Sequence, residues 1–107
     1  MKKMNRKPTT PGKMLFEEFL NPVGMKQSEF AKHIEVDYKT VNRLVNGADL
    51  TANLAGKIAA ATNTSIQFWM NLQIAVTIWE IKQAKEKLPK PIDFESFNAA
   101  MVIKTKI

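Results

Sequence analysis

The sequence predicts an all-α fold of five helices followed by a C-terminal tail. Apolar residues recur at three- and four-residue spacings through most of the chain, the period of helices that bury one side. Capping and stop residues fall at the ends of those stretches. The stretch KQSEFAKHIEVDYKTVNRLVNG, from Lys26 to Gly47, has the layout of two short helices joined by a tight turn. Only the last residues, VIKTKI, alternate in the manner of an extended strand.

Taken in order, the chain begins with a segment to about Thr9 that lacks apolar periodicity. Lys2, Lys3, Arg6, Lys7 and Lys13 make this start basic without one acid. Residues 1–9 are expected to form an arm, and two readings stay open: a reach toward phosphate or a minor groove, or a solvated tail. The first helix opens at TPGK, with Thr10 as cap and Pro11 at the first helical position, where a missing amide costs nothing. Leu15, Phe19 and Leu20 then point inward and Glu17 and Glu18 outward, until Asn21 and Pro22 end it and Gly24 turns the chain.

The second helix runs from Gln27 to Ile34 and buries Phe30, Ala31 and Ile34. Ala31 is small where the next helix must cross closely, and Val36 is a lone apolar residue placed to plug the turn. Asp37 is positioned to cap the third helix with its carboxylate. That helix carries Val41, Leu44 and Val45 inward and stops at Gly47. Its outward side holds Tyr38, Lys39, Thr40, Asn42, Arg43 and Asn46, all hydrogen-bonding types and nearly free of acids. In a helix-turn-helix this side enters the major groove of DNA, where Arg or Lys pairs with guanine and Asn with adenine. A helical hairpin with a solvated polar face is the plainer alternative.

Thr51 is expected to cap an alanine-rich fourth helix through Leu54, Ile58 and Ala59 to about Thr62, whose small residues admit close neighbours. Thr64 and Gln67 have the spacing of a capping box for the fifth helix, from about Ser65 to Lys85. This helix is too apolar for a single stripe. At 100° per residue, Phe68, Leu72, Ala75, Val76 and Trp79 form one line, expected to close the core; Met70, Ile74, Ile78 and Ile81 form another. The second line is either a seam for a second subunit or partner, or a further internal contact. Residues 10–86 are thus expected to form the domain. LPKPID leads the chain away into a tail over 87–107 that either docks on the domain or waits for a partner.

The chain has 107 residues, 45% hydrophobic and 24% charged, with a net charge of +6 and a pI near 9.7. This is enough apolar material for one small core, and the charge favours a polyanionic partner. No run is long enough to cross a bilayer and the basic start lacks the apolar part of a signal peptide, so a cytoplasmic protein without a membrane partner is expected. Cysteine is absent and His33 is the sole histidine. With no glycine-rich phosphate loop and no metal-spaced histidine pair, neither an enzyme nor a cofactor is expected.

Together, the segment from Thr10 to Gly47 and the block TSIQFWMNLQIAVTIWE resemble the HigA-type antitoxin family, also known as virulence-associated protein I. The resemblance spans about Thr10 to Glu80 and is carried by the Pro-Gly opening and by Phe68 to Gln73. It implies a five-helix, lambda-repressor-like DNA-binding domain that forms a homodimer and represses its own operon at an operator palindrome. It also implies a toxin partner, of the messenger-RNA endonuclease type, that the protein neutralises. Carried over by position, Lys39, Asn42 and Arg43 face bases, Tyr38 and Thr40 stand at the groove edge, and Gln27 binds phosphate. Three departures are visible. Thr10 and Lys13 flank the Pro-Gly where the family has a histidine and an acid, Glu35 occupies the usual glycine of the turn, and Asp37 stands where Ser or Thr is usual. A stand-alone phage-type repressor without a toxin, and a protein-interaction module with reduced DNA binding, are the alternatives.

Overall fold

The structure, a computed structural model, describes residues 6–84 and 88–101. Lys2 and Lys3 of the arm, the expected helix end at Lys85 and the strand reading of VIKTKI lie outside the described residues. Among the described residues the fold is entirely helical: α1 (Pro11–Met14) with its continuation, α2 (Gln27–His33), α3 (Tyr38–Val45), α4 (Ala52–Thr62), α5 (Ile66–Ala84) and α6 (Phe94–Met101). None is long and apolar enough to cross a membrane.

Thr10 Oγ1 accepts from the Lys13 amide at 3.1 Å and Pro11 takes the first helical position, as the sequence implies. Beyond α1 the helix widens into a π-helical stretch, Leu15–Leu20, before a 3-10 turn, Asn21–Val23. The widening follows from side-chain spacing: a turn closed between residues five apart brings Leu15 and Leu20 to one side, and both are buried. Pro22 sits inside the 3-10 turn, and left-handed Gly24 ends it.

Helices α2 and α3 pack against each other, and the small Ala31 of α2 is buried. After α2 the chain reverses through Glu35 at φ 58°, with Glu35 N donating to Lys32 O and Val36 N to Ala31 O. This left-handed closure ties off the last carbonyls of α2 and drops Val36, half-buried, against the core. Glycine suits such a residue because it has no Cβ to crowd the backbone; here a glutamate bears the strain. Gly47, at φ 105°, closes α3 in the same manner, with Gly47 N on Leu44 O and Ala48 N on Arg43 O.

Two expected caps are corrected. Asp37 occupies the cap position of α3, but its carboxylate accepts no capping bond; Thr40 N bonds the Asp37 backbone carbonyl instead, at 2.9 Å. The fifth helix is capped by Ser65, whose Oγ accepts from the Phe68 amide at 3.0 Å, and not by Thr64 with Gln67. Thr64 Oγ1 is taken by the Trp69 indole, 2.7 Å away, and Gln67 bonds Asn71. Thr51 does cap α4, accepting from Leu54 N at 3.2 Å.

The rotation of α5 also differs from the expected one. Trp69, Gln73 and Val76 are its buried residues, with Leu72 and Trp79 at the margin, while Phe68 and Ala75 are exposed. Trp69 dictates this. It is completely buried, its ring 5.6 Å from Phe19 and edge-on to Phe68 at 5.2 Å. Gln73 lies four residues on, so it follows Trp69 inward. Its Oε1 accepts from Leu50 N at 2.7 Å, and its Nε2 donates to Asp49 and Thr77, each at 3.1 Å. The loop after α3 is thereby held to α5. Of the second expected line, Met70 packs against the chain's own core, whereas Ile74, Ile78 and Ile81 are about half exposed. The tail holds a helix, α6, that the sequence reading did not foresee, and Phe94 and Phe97 on it are exposed.

Candidate nucleic-acid interface

Helix α3 owes its orientation to what lies beneath it. Val41 and Leu44 are each 1% exposed and belong to the core, where α3 packs against α1 and α2. Gly12 of α1 meets the last turn of α3 backbone to backbone, since a Cβ there would stand 1.8 Å from Leu44 O. With one side so held, the helical period puts Tyr38, Lys39, Arg43 and Asn46 in solvent. Thr40 and Asn42 lie half-buried at the edges, Thr40 toward α4 and Asn42 toward α2.

The predicted residues fall into two groups. Gln27, Tyr38 and Asn42 are joined: Asn42 Nδ2 donates to Gln27 Oε1 at 2.9 Å and lies 3.4 Å from the Tyr38 hydroxyl. Asn46 extends this network, donating to the Asn42 carbonyl at 2.8 Å. Lys39 and Arg43, one helical turn apart, stand outside it. Among the described residues the ion pair found joins Lys7 to Glu80, at 4.0 Å, and no described carboxylate pairs with Lys39 or Arg43.

Beside Arg43 an open cleft of about 310 Å³ runs between α3 and α4, lined on its polar side by Thr40, Asp49, Thr51, Asn53 and Lys57. Lys57 extends the basic face, although its Nζ also reaches the Ile34 carbonyl at 3.4 Å. The sequence reading missed Asn53 and Lys57 as neighbours of α3 because it treated α4 as packing material. The signal available was the start of a helix directly after the loop that follows Gly47. Glu35 and Asp37 are exposed acids at the entry to α3.

The arrangement is an eight-residue helix, about 12 Å long, lifted clear of its support and bearing two cations, a phenol and amides. Its length and width match the major groove of B-form DNA, roughly 12 Å across, and its groups are those that bond phosphates and base edges.

Comparison with known proteins places this geometry among relatives. The sequence profile of the family described as Helix-turn-helix matches residues 16–69. The chain is 40% identical over 95 residues to Antitoxin HigA-1 of Vibrio cholerae serotype O1, covering 86% of this chain and 90% of that protein. It is 41% identical over 83 residues to the HTH-type transcriptional regulator YbaQ of Escherichia coli K12, covering 77% and 74% respectively. Among solved structures it resembles Pseudomonas aeruginosa antitoxin HigA with the higBA promoter, at TM-score 0.70 and 28% identity over 80% of this chain and all of that one.

Proposed function

Because this chain belongs to the HigA-type antitoxin family of helix-turn-helix proteins, we propose that it is a sequence-specific repressor of its own operon and the antitoxin to a toxin encoded beside it. The observation that carries the DNA-binding half is the outer side of α3. Lys39 and Arg43 project from a helix whose opposite side is locked into the core, with no carboxylate among the described residues neutralising them. Lys39 and Arg43 are assigned to phosphate and base contacts, with Tyr38, Thr40, Asn42 and Gln27 along the groove edge. No cofactor takes part in this reading. The HigA relative solved with its higBA promoter supports it.

The antitoxin half rests on family membership and on α5. Ile74, Ile78 and Ile81, 48%, 48% and 54% exposed, form a line at helical spacing along the C-terminal half of α5. We assign this line to a homodimer seam. Two copies joined there would present two α3 helices to successive major grooves, roughly 34 Å apart, as a palindromic operator requires. The toxin, of the messenger-RNA endonuclease type, would be held in the same complex.

The test is a titration of the protein onto the DNA upstream of its own gene at several salt concentrations. Affinity is expected to fall steeply with salt and to favour one site, and Arg43→Ala should cost about 1–3 kcal/mol and relax the preference. Equal affinity for unrelated DNA at every salt overturns the repressor reading. For the antitoxin half, the neighbouring short reading frame is co-expressed; the two products should purify together and shift the shared promoter. A second reading is a repressor that works alone; the likeness to YbaQ, named an uncharacterized HTH-type transcriptional regulator, accords with either. That reading holds if no such neighbour exists or if its product does not bind.

A further inference from the structure

We infer that Asn46–Gly47, at the end of α3, is a site of spontaneous modification: ring closure onto the Gly47 nitrogen converts the asparagine to an aspartyl or isoaspartyl residue once that turn opens. The chemistry follows from the sequence and the turn, and only its effect on binding rests on the DNA-binding reading above.

No other asparagine of the chain precedes a glycine. The reaction favours a successor without a side chain, because the attacking nitrogen is then uncrowded. Gly47 N gives its proton to hydroxide and attacks Asn46 Cγ; an N–Cγ bond forms, the Cγ–Nδ2 bond breaks, and Nδ2 leaves as ammonia with a proton from water. A five-membered imide remains. Water then opens it at either carbonyl. Cleavage of the new N–Cγ bond leaves an aspartyl residue; cleavage of the original backbone C–N bond leaves an isoaspartyl one, with an extra methylene in the main chain. Space permits the attack, since even a β-carbon added to Gly47 would meet nothing within 4 Å.

What restrains the reaction is the folded turn. Gly47 N donates to Leu44 O at 2.9 Å, so the nucleophile is engaged. Asn46 Nδ2 donates to the Asn42 carbonyl at 2.8 Å, which draws Cγ back along α3. At ψ 16° the Asn46 Cβ lies across the Cα–C bond from the Gly47 nitrogen, whereas the ring needs the two eclipsed. The rotation that joins them takes Gly47 away from Leu44. Conversion therefore passes through a locally opened turn, at a rate scaled by how often α3 frays at this end.

The product does not fit back. It lacks the Nδ2 donor and sets a carboxylate against the Asn42 carbonyl, at a helix C-terminus whose dipole already disfavours negative charge. The new charge also stands one turn from Arg43, on the exposed side of α3 assigned to DNA. Conversion weakens binding on both counts.

Two arms test this. Full-length protein, folded or in urea, is incubated at mildly alkaline pH and mapped by tryptic mass spectrometry; the peptide that follows Arg43 carries both Asn46 and Asn53. In urea Asn46 should convert ahead of Asn53, and folding should slow Asn46 by about ten-fold or more. Equal folded and unfolded rates remove the restraint, and a preference for Asn53 in urea removes the site; either overturns the inference. In the second arm a partly converted folded sample meets a limiting amount of duplex from upstream of its own gene, and bound and free protein are mapped separately. The converted form should be depleted from the bound fraction by about ten-fold. Equal shares in both fractions overturn the effect on binding. If unconverted protein favours no site in that duplex, the DNA-binding reading itself falls, while the incubation arm still decides the modification.

Discussion

Gly12 and Leu44 meet without side chains between them: a β-carbon on Gly12 would stand 1.8 Å from the Leu44 carbonyl oxygen and 2.7 Å from Val45 Cα. Both obstacles are backbone, so no rotamer change relieves them. Gly12→Ala is therefore expected to push α1 off the end of α3. Overpacking in cores costs about 1–3 kcal/mol, and the upper end or beyond is expected here, read as a lowered midpoint in chemical denaturation. DNA affinity should fall more than Lys13→Ala would lower it, because α3 loses its seating. The Pro-Gly opening thus has a physical reason that the sequence did not disclose.

Glu35 carries the opposite sign. Its φ of 58° places a β-carbon where glycine has none, and its side chain is exposed. Glu35→Gly should raise stability by roughly 1 kcal/mol, measured as a higher midpoint with an unchanged denaturant slope.

Gln73 joins α5 to the loop after α3. Gln73→Leu preserves its volume but leaves the buried Leu50 amide without the acceptor 2.7 Å away. The expected cost is about 1–3 kcal/mol. Hydrogen exchange should show the Leu50 amide losing protection ahead of the amides of α4.

The isoleucine line on α5 predicts a change of assembly without a loss of fold. Ile74→Glu with Ile78→Glu alters two half-exposed residues, so melting should shift little while light scattering reports a halved mass and operator affinity falls. A wild-type monomer at micromolar concentration would remove the seam from the proposal.

Trp69→Ala should be the most damaging single change among these, about 3–5 kcal/mol. The indole is fully buried, stacks near two phenylalanines and donates to Thr64. Loss of near-ultraviolet dichroism at ordinary temperature would register it.

The five domain helices were legible in the residues, because what marks them is local. Thr10 and Thr51 cap amides three residues on, the small Ala31 is buried on α2, and Gly47 reverses the chain where a β-carbon would strain it. Of the outward set on α3, Tyr38, Lys39, Arg43 and Asn46 were equally legible, since the apolar residues define the opposite side, whereas Thr40 and Asn42 are half-buried at its edges. Asp37 and Thr64 misled for one reason: a residue type able to cap does not cap when the backbone or a tryptophan offers a better arrangement.

What the chain alone determined is the succession of the five domain helices, the caps at Thr10 and Thr51, and the apolar side of α3. The tertiary structure decided the rotation of α5, the seating of Gly12 and the pairing of the Gln27 and Asn42 amides. Each of these depends on atoms brought together from residues far apart in the chain, as in the bonds from Asn42 to Gln27 and from Leu50 to Gln73. Periodicity locates a helix's apolar side only to within the width of its stripe; one large indole and one buried amide settle the angle, and their partners are known only once the chain has folded.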